Sequence, residues 1–503
     1  MLLGQAFLLP LISARVSGQG TTWGGVPVVQ PIMPPDSHGS SQSAFNNLAW
    51  QQFITLNWGA DPSSPGHADT NLPPSKFGTP GDANPVVWET FKEASEVFQS
   101  NAVPPTAWGA TRALPAAFAA MRGGGALKAT SRFGLKGLYG TSKFAGGPAL
   151  DLGEFSEAAP NGAWLTAQAV MKNHLTLFEK RMNEDEFNYV VSNKLYNAAN
   201  QAPFALTNGI NLPDGSVAFQ SYGTVGAIEI KAAWIELDDP ALWPLFKISQ
   251  AYVSYPTTNG VTVPRVATVG LVGLHIIRKT PNAQQFVWST FEHVNNSPST
   301  SDLQNQTLKA WYTYYSTNCV TNSDYYGCQW NRAPTPGKDP YDAPMQVVRT
   351  TPISTSSGNN IALLNSSVWN TIGAACSNSV FLNYQLVNVL WPNANTSIGA
   401  GATVPLTTGD PRPPVTSQPV ANSVLETYAQ SQTCLSCHIF GSVAVTNSMQ
   451  ASRSIRIPRS PRAAGPTTAK SVTGQAAALA SDYSFLFGEA QMPSGGSAPA
   501  GGR

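Results

Sequence analysis

Two cysteines and a histidine near the carboxyl end have the spacing of a haem attachment site. They lie in the string Cys434-Leu435-Ser436-Cys437-His438. On one turn of helix, residues three apart face the same side, so both sulfurs can form thioether bonds with the two vinyl groups of one porphyrin. The imidazole of the next residue can then reach the iron from beneath the ring. The motif predicts one covalently bound haem c, with Cys434 and Cys437 as thioether donors and His438 as an iron ligand.

Two other uses of paired cysteines fit the sequence less well. A zinc site would need a second pair of cysteines or histidines nearby, and neither residue type occurs after His438. A thioredoxin-like redox pair normally lies in a βαβ unit near the start of a domain, whereas this pair comes late in the chain. Haem attachment is therefore the preferred interpretation.

The motif resembles that of c-type cytochromes. Two further strings, AWQQFI at Ala49–Ile54 and VWSTFEH at Val287–His293, are similar to those of large exported bacterial proteins that have one haem motif near the carboxyl end. The resemblance implies electron transfer by one haem, and export, because haem c is attached outside the cytoplasm. It implies no particular reaction for the long part of the chain that precedes the motif.

The ligand on the opposite side of the iron is less well defined than His438. In that family a methionine some tens of residues after the motif usually takes this position, and Met492, which precedes Pro493, is the first candidate. The alternatives are Met449, His275, His293 and a vacant position. The tail after Pro493 is too rich in glycine and serine to form the usual terminal helix. The haem would therefore depend on the preceding part of the chain for some of its packing.

Apolar residues at helical spacing predict the helices that surround this motif. One helix is expected over residues 43–57, and a second is expected to begin at Asn84, with Pro85 in its first turn. A short helix over Val424–Gln432 should lead into the motif, and another should cover residues 475–490. The carboxyl-terminal part of the chain is therefore expected to be mainly helical.

The middle of the chain has the alternation and the β-branched residues of strands. Leu175–Met182 predicts a strand, and Asn183 after it has the position of an N-cap in a capping box with Glu186. Segments 226–237, 266–279 and 285–294 predict further strands, and a turn should join the last two as an antiparallel pair. Glu229 and Lys231 share one strand face and could form a partly buried ion pair or point into a cavity.

These elements predict an α+β fold rather than a doubly wound sheet. We expect a large mixed domain of helices and antiparallel sheet over residues 21–420, and a short, mainly helical haem c segment over residues 421–503. Residues 1–20 have the apolar core and small residues of a signal peptide that lacks its basic start. No stretch reaches the roughly 18 apolar residues of a membrane-spanning helix. A periplasmic or secreted protein is expected.

Composition excludes some classes of partner. The 29 lysines and arginines balance 28 acidic residues, so the net charge of +1 gives no basis for binding nucleic acid or an acidic membrane. One basic feature is local, because Arg453, Arg456, Arg459 and Arg462 recur at every third residue. In an extended segment with three residues per turn they would share one side. They could pair with haem propionates or dock an acidic redox partner, or they could form a solvated loop.

Export also predicts the oxidation state of the other three cysteines. Cys319 and Cys328 enclose a short loop, and a disulfide between them is expected outside the cytoplasm. Closing that loop would stabilise the fold by about 2.5 kcal/mol on the chain-entropy model. Cys376 is then expected to be a buried thiol.

Three functions are compatible with these features. The leading one is electron transfer with a redox partner protein. The second is a haem enzyme, a peroxidase or oxidoreductase, whose large domain supplies a distal pocket for a small-molecule substrate. In that case His275, Glu292 and His293 are the acid–base candidates. In the third, the large domain binds a ligand or a partner protein, and the haem transfers electrons to or from that complex.

Overall fold

The computed structural model describes separate segments of the chain, and all structural statements below concern them. They are residues 23–112, 135–139, 164–254, 265–318, 328–335, 338–340, 342–392, 397–407, 411–412, 420–444 and 478–494. Within them, helices pack on a large, mainly antiparallel sheet. The expected α+β fold is confirmed. The expected signal peptide, residues 1–20, lies outside the described segments.

The main sheet has nine strands in the described part of the chain. Counting a separate pair, the described residues form eleven strands, which are β1 (Lys92–Glu93), β2 (Lys136–Tyr139), β3 (Leu177–Met182), β4 (Ile228–Glu236), β5 (Ile248–Ser254), β6 (Arg265–Thr280), β7 (Ala283–His293), β8 (Thr355–Ser356), β9 (Asn359–Asn360), β10 (Tyr384–Pro392) and β11 (Pro411–Arg412). Their order is β1-β3-β2-β5-β6-β7-β10-β11, with β4 paired to both β3 and β6, while β8 and β9 form a separate pair. Among the paired strands of the described residues, only β2 and β5 run parallel to each other.

Helices cover both faces of this sheet. They are α1 (Gln42–Leu56), α2 (Ala94–Val97), α3 (Glu184–Ser192), α4 (Ala198–Asn208), α5 (Thr300–Asn305), α6 (Ile361–Ala375) and α7 (Cys434–His438). None of the helices in the described segments is long and apolar enough to cross a membrane.

The predictions for the first helix and the central strands are confirmed. The helix expected over residues 43–57 is α1, and the three β-branched segments are β4, β6 and β7. Thr280 pairs with Ala283 at the turn that joins β6 to β7 as antiparallel neighbours. These segments have a strong period in their apolar residues, which determines the type of element locally.

Strand β7 shows how the sheet separates two cores. Val287 and Phe291 belong to the cluster that contains α1 and α6. Trp288 belongs instead to the cluster that contains α3, α4 and the carboxyl-terminal segments. Successive side chains of a strand point to opposite faces, so one strand serves both cores. The haem motif therefore lies on the face of the sheet opposite α1.

The prediction of a helix that begins at Asn84 is wrong. That stretch forms a 3-10 helix at Val87–Thr90, then β1 and the short helix α2. The carbonyl oxygen of Phe91 accepts a hydrogen bond from Arg181 of β3 (2.7 Å), and β1 pairs with that same strand. These tertiary bonds replace the bonds that a continuous helix would have formed, so the apolar spacing was misleading here.

The predictions of helices over residues 424–432 and 475–490, on either side of the motif, are also wrong. Residues 423–431 form a series of turns, and the described part of 475–490 contains only the 3-10 helix Leu486–Glu489. Neighbouring segments take up the backbone groups, since Val404 N donates to Ala478 O (2.8 Å) and Val443 N to Leu479 O (3.1 Å). In its described residues, the haem segment is therefore held mainly by turns and bridges to other segments, with α7 as its α-helix.

Candidate functional site

The haem motif forms the five-residue helix α7. Thr433 is its N-cap, and the Thr433 hydroxyl oxygen accepts a hydrogen bond from Ser436 N (3.3 Å). Such a cap satisfies one of the free N–H groups at the start of a helix. The geometry places the cysteines three residues apart on one turn, as the motif predicts.

The side chains of α7 divide into an anchor and an accessible side. Leu435 is buried in the core that contains α3 and α4. Cys434, Cys437 and His438 are half-buried. Cys434 and Cys437 are thiols and are not disulfide-bonded. The three residues expected to bind haem are therefore close together, while the leucine between the cysteines fixes the helix to the core that contains α3 and α4.

The imidazole of His438 has a defined tautomer. Its Nδ1 lies 2.7 Å from the carbonyl oxygen of Tyr483, and a carbonyl can only accept, so Nδ1 carries the proton. In the neutral ring, the lone pair is then on Nε2, the atom that would bind a metal ion. Histidines that bind metals commonly donate their other N–H to a carbonyl or carboxylate in this way. The His438 geometry therefore fits haem iron.

Two aromatic rings contact the same imidazole. The ring of Trp288 on β7 lies 4.4 Å from it and the ring of Phe485 lies 4.9 Å from it, measured between centroids. The orientation of His438 is therefore held by packing as well as by the hydrogen bond to Tyr483.

The carbonyl that binds His438 belongs to a strained turn over residues 481–484. Asp482 and Tyr483 have positive φ angles of 57° and 65°, which residues other than glycine rarely adopt. Gly441 lies against the turn so closely that a Cβ there would be 2.8 Å from the carbonyl carbon of Tyr483. Residues in such conformations persist only where the surrounding structure holds them, and they cluster at functional sites.

An ion pair fastens this turn to the sheet. The Asp482 carboxylate lies 2.5 Å from Lys279 Nζ on β6 and accepts a hydrogen bond from Leu212 N (2.6 Å). Both Asp482 and Lys279 are almost completely buried. Burial raises the pKa of Asp482, and Lys279 opposes that effect.

Two more buried carboxyls lie near Asp482. Glu186 on α3 is fully buried, and neither of its carboxylate oxygens has a hydrogen-bond partner. Burial, together with the charges of Glu229 and Asp482, raises its pKa well above the usual value. Glu229 on β4 is also buried, and desolvation raises its pKa to about 7, although a hydrogen bond with Ser484 opposes the shift.

The sequence contained only an indirect signal for this cluster. Asn183 caps α3 as predicted, because its side-chain oxygen accepts from Glu186 N (3.3 Å). In a capping box, the Glu186 carboxylate would also accept a hydrogen bond from the backbone N–H of Asn183. That bond is absent, since both carboxylate oxygens of Glu186 lack partners. The sequence predicts that Glu229 pairs with Lys231 or points into a cavity, and the structure places Glu229 in a hydrogen bond with Ser484.

Met492, the predicted distal ligand, packs against the same core as the motif. It is half-buried and contacts the cluster that Cys434 and Ile439 also contact. The preceding residue, Gln491, forms a bridge with Asn197 just before α4. Met449 and the four arginines from Arg453 to Arg462 lie outside the described residues.

The two histidines considered as distal ligands have other partners. His293 Nε2 is bonded to Leu245 O (2.9 Å), while its Nδ1 accepts from Asn295 N (3.1 Å). Burial lowers the pKa of His293 to about 3, so the ring is neutral. With both nitrogens occupied, His293 cannot bind iron in this structure. His275 Nε2 is bonded to the Glu426 carboxylate (2.7 Å), in the turns that precede the motif.

Glu292 is also a structural residue rather than an acid–base group. It forms an ion pair with Arg349 and accepts hydrogen bonds from the backbone N–H and the hydroxyl of Ser423 (3.0 and 2.8 Å). Gln385 donates a further hydrogen bond to it (3.3 Å). These partners occupy both carboxylate oxygens of Glu292 within the large sheet, so its contacts are structural ones.

The remaining cysteines lie apart from the motif. Cys376 is a buried thiol, as expected. Cys319 lies outside the described residues, so its disulfide with Cys328 stays a prediction.

Comparisons with known proteins found no match among family models, curated proteins or solved structures.

Proposed function

We propose that the chain binds one haem c covalently and transfers electrons outside the cytoplasm. Cys434 and Cys437 are the thioether donors, and His438 is the iron ligand. The observation that carries the proposal is the hydrogen bond from His438 Nδ1 to the Tyr483 carbonyl, on a helical turn that also carries both thiols. When bound, haem c supplies a one-electron couple between ferric and ferrous iron.

Attachment uses groups that the chain presents together. Each cysteine S–H adds across one vinyl double bond, with sulfur bonding to one carbon and hydrogen to the other, so no oxidant is consumed. Cys434 and Cys437 are both half-buried, and neither is in a disulfide. Leu435 between them is buried, so α7 keeps its position on the large domain.

The chain also controls the strength of the iron ligand. The Tyr483 carbonyl withdraws no proton but polarises the Nδ1–H bond, which makes Nε2 of His438 a better donor. Trp288 and Phe485 pack against the imidazole and help to fix its orientation. We propose Met492 as the second ligand, because a thioether favours ferrous iron and suits an electron carrier.

The location and the partner follow from haem c itself. Covalent attachment implies export, and we propose a periplasmic or secreted protein that exchanges electrons with a redox partner protein.

Haem detection in the denatured protein tests this proposal. The full chain should be produced in a host that exports it and attaches haem c. Its mass should exceed that of the processed polypeptide by one haem, and the haem should stay bound on a denaturing gel. Cys434→Ala and Cys437→Ala should each lose one thioether bond. Cys376→Ala is the matched control, because that buried thiol lies outside the motif, and it should keep the haem.

Two results would contradict the proposed covalent attachment. If the wild-type protein contains no haem, or if acidified acetone extracts it, covalent attachment is wrong.

A haem enzyme is the second candidate function. The observation that favours it is the contact of Trp288 with His438, because β7 belongs to the large domain and brings that domain into the haem site. An enzyme would leave one side of the iron open to an exogenous ligand, whereas an electron carrier would not. Rapid binding of carbon monoxide by the reduced protein would favour the enzyme.

A further inference from the structure

Three buried carboxyls interact with one another around the turn whose carbonyl orients His438. They come from α3, β4 and the turn over residues 481–484, and they are Glu186, Glu229 and Asp482. We propose that Glu186 and Glu229 form a proton-binding site that takes up a proton when the neighbouring iron is reduced and releases it on oxidation. This inference rests on the proposed haem binding and adds a proton to the electron that the protein transfers.

The turn over residues 481–484 connects the carboxyls to the imidazole. The Tyr483 carbonyl accepts from His438 Nδ1, and Asp482 is the residue directly before it. Ser484, directly after it, is hydrogen-bonded to Glu229. Adjacent Cα atoms are about 3.8 Å apart, so Asp482 and Ser484 are both immediate neighbours of the residue whose carbonyl holds the His438 imidazole.

Buried carboxylates need a compensating positive charge. Lys279 pairs with Asp482, and Lys180 pairs with Glu489. Within the described segments, neither Glu186 nor Glu229 has an ion pair, so these two carboxyls are not neutralised by a direct cation partner. The titratable and charged groups that face the cluster are Lys180, Tyr189, Asp214, Lys279, Tyr483 and Glu489.

A metal ion is a poor alternative to the proton. Metal-binding carboxylates have to bring their oxygens together, and the described residues contain one group of three that does so within 4.8 Å. That group is His174, Glu236 and Asp238, and it does not include the buried cluster. A bound proton can neutralise one isolated carboxyl without any such convergence, which agrees with the raised pKa values of Glu186 and Glu229.

Reduction removes one positive charge beside His438. The electron comes from the redox partner, and the proton comes from solvent, so the charge near the turn is nearly unchanged when both arrive. The coupling between proton binding and reduction is reciprocal. If reduction makes the carboxyls bind a proton more tightly, then binding of that proton makes reduction more favourable. The midpoint potential should therefore fall as pH rises, by up to about 59 mV per pH unit if one proton accompanies each electron.

Titration of the midpoint potential of the holoprotein tests the proposal. The range should run from about pH 5 to about pH 9, which brackets about 7, the pKa of Glu229. The wild-type potential should fall with pH, and the double variant Glu186→Gln, Glu229→Gln should lose most of that slope. Glu184→Gln is the matched control, since it makes the same change on α3 at a half-buried position. The control should keep the wild-type slope.

Two outcomes would overturn the inference. One is a wild-type potential that does not change with pH. The other is a slope that survives in the double variant, which would assign the proton to the haem propionates. Absence of covalent haem is a different result, because it would refute the proposed function before any potential could be measured.

Infrared difference spectroscopy on the wild-type protein gives a test that needs no variant. Reduction should increase the carbonyl stretch of a protonated carboxylic acid, and this band should shift in heavy water. A reduced-minus-oxidised spectrum without such a band would contradict the proposal even if the double variant failed to fold.

Discussion

At the scale of single residues, His438 owes its chemistry to atoms that lie far away in the sequence. The string around it identifies the residue, but the proton on Nδ1 is placed by the carbonyl of Tyr483. His293 shows the reverse case, since both of its nitrogens are used inside the large domain. A histidine becomes a metal ligand only when its neighbours leave one nitrogen oriented for that task.

The second iron ligand gives a prediction at this scale. Replacing Met492 by leucine keeps the volume of the side chain but removes the sulfur, so the ferric protein should lose its weak sulfur-to-iron charge-transfer band. The midpoint potential should also fall, because the thioether stabilises ferrous iron. Absorption spectra and redox titration measure both effects.

Met345→Leu is the control for this substitution. Met345 is a buried methionine in a different core, and its replacement should leave the band unchanged. A wild-type spectrum without the band, together with rapid binding of cyanide, would remove Met492 as the ligand and favour the enzyme over the carrier.

At the scale of elements, the turn over residues 481–484 joins the haem segment to the sheet. It contacts α7 through His438 and Gly441, and it is tied to β6 through the pair of Asp482 with Lys279. The positive φ angles in the turn disfavour this conformation in an isolated peptide. The packed elements on either side must therefore hold it, which makes the ion pair important for stability.

Replacement of Lys279 by alanine should test that role. It would leave the Asp482 carboxylate buried without its cation, and breaking a buried pair in this way costs about 3–5 kcal/mol of the free energy of unfolding. Lys172→Ala is the matched control, because its partner Asp238 and its own side chain are largely exposed. An exposed pair contributes about 0–1 kcal/mol.

Denaturant unfolding of the two lysine variants measures the difference. Equal losses of stability would show that the pair of Lys279 with Asp482 does not hold the turn.

At the scale of the whole molecule, buried titratable groups should make stability depend on pH. His293 has a pKa lowered from 6.5 to about 3 by burial, so its contribution to stability is lost as pH falls from about 6.5 towards 3. Glu229 has a pKa raised from 4.5 to about 7, so its contribution is lost as pH rises from about 4.5 towards 7. The two effects oppose each other between these limits.

Glu229→Gln should separate these two effects. Glutamine stays neutral, so the loss of stability that accompanies ionisation of Glu229 should disappear. We expect the variant to be more stable than the wild type above about pH 7, by an amount on the order of 3 kcal/mol, and similar to it at about pH 4.5.

Unfolding curves at a series of pH values measure this comparison. A constant difference between the two proteins at every pH would show that the pKa of Glu229 is not raised in the native state.

Elements with a strong local pattern could be predicted from the sequence. Helix α1, strands β4, β6 and β7, the turn between the last two and the N-cap at Asn183 all follow from the spacing of residues close together in the chain. The haem motif belongs to the same class, because its three residues lie within one helical turn. Neighbours in sequence are sufficient to identify such features.

The other features depend on contacts between distant segments. Hydrogen bonds from β3 and from residues 402–406 replaced the helices that apolar spacing had predicted around Asn84 and over residues 475–490. The carboxyl cluster behind His438 likewise combines α3, β4 and a turn near the carboxyl end. Burial and charge are properties of the packed chain. The string Cys434–His438 therefore determines which residues are proposed to bind haem, whereas packing determines the hydrogen bond of the imidazole and the charges near it.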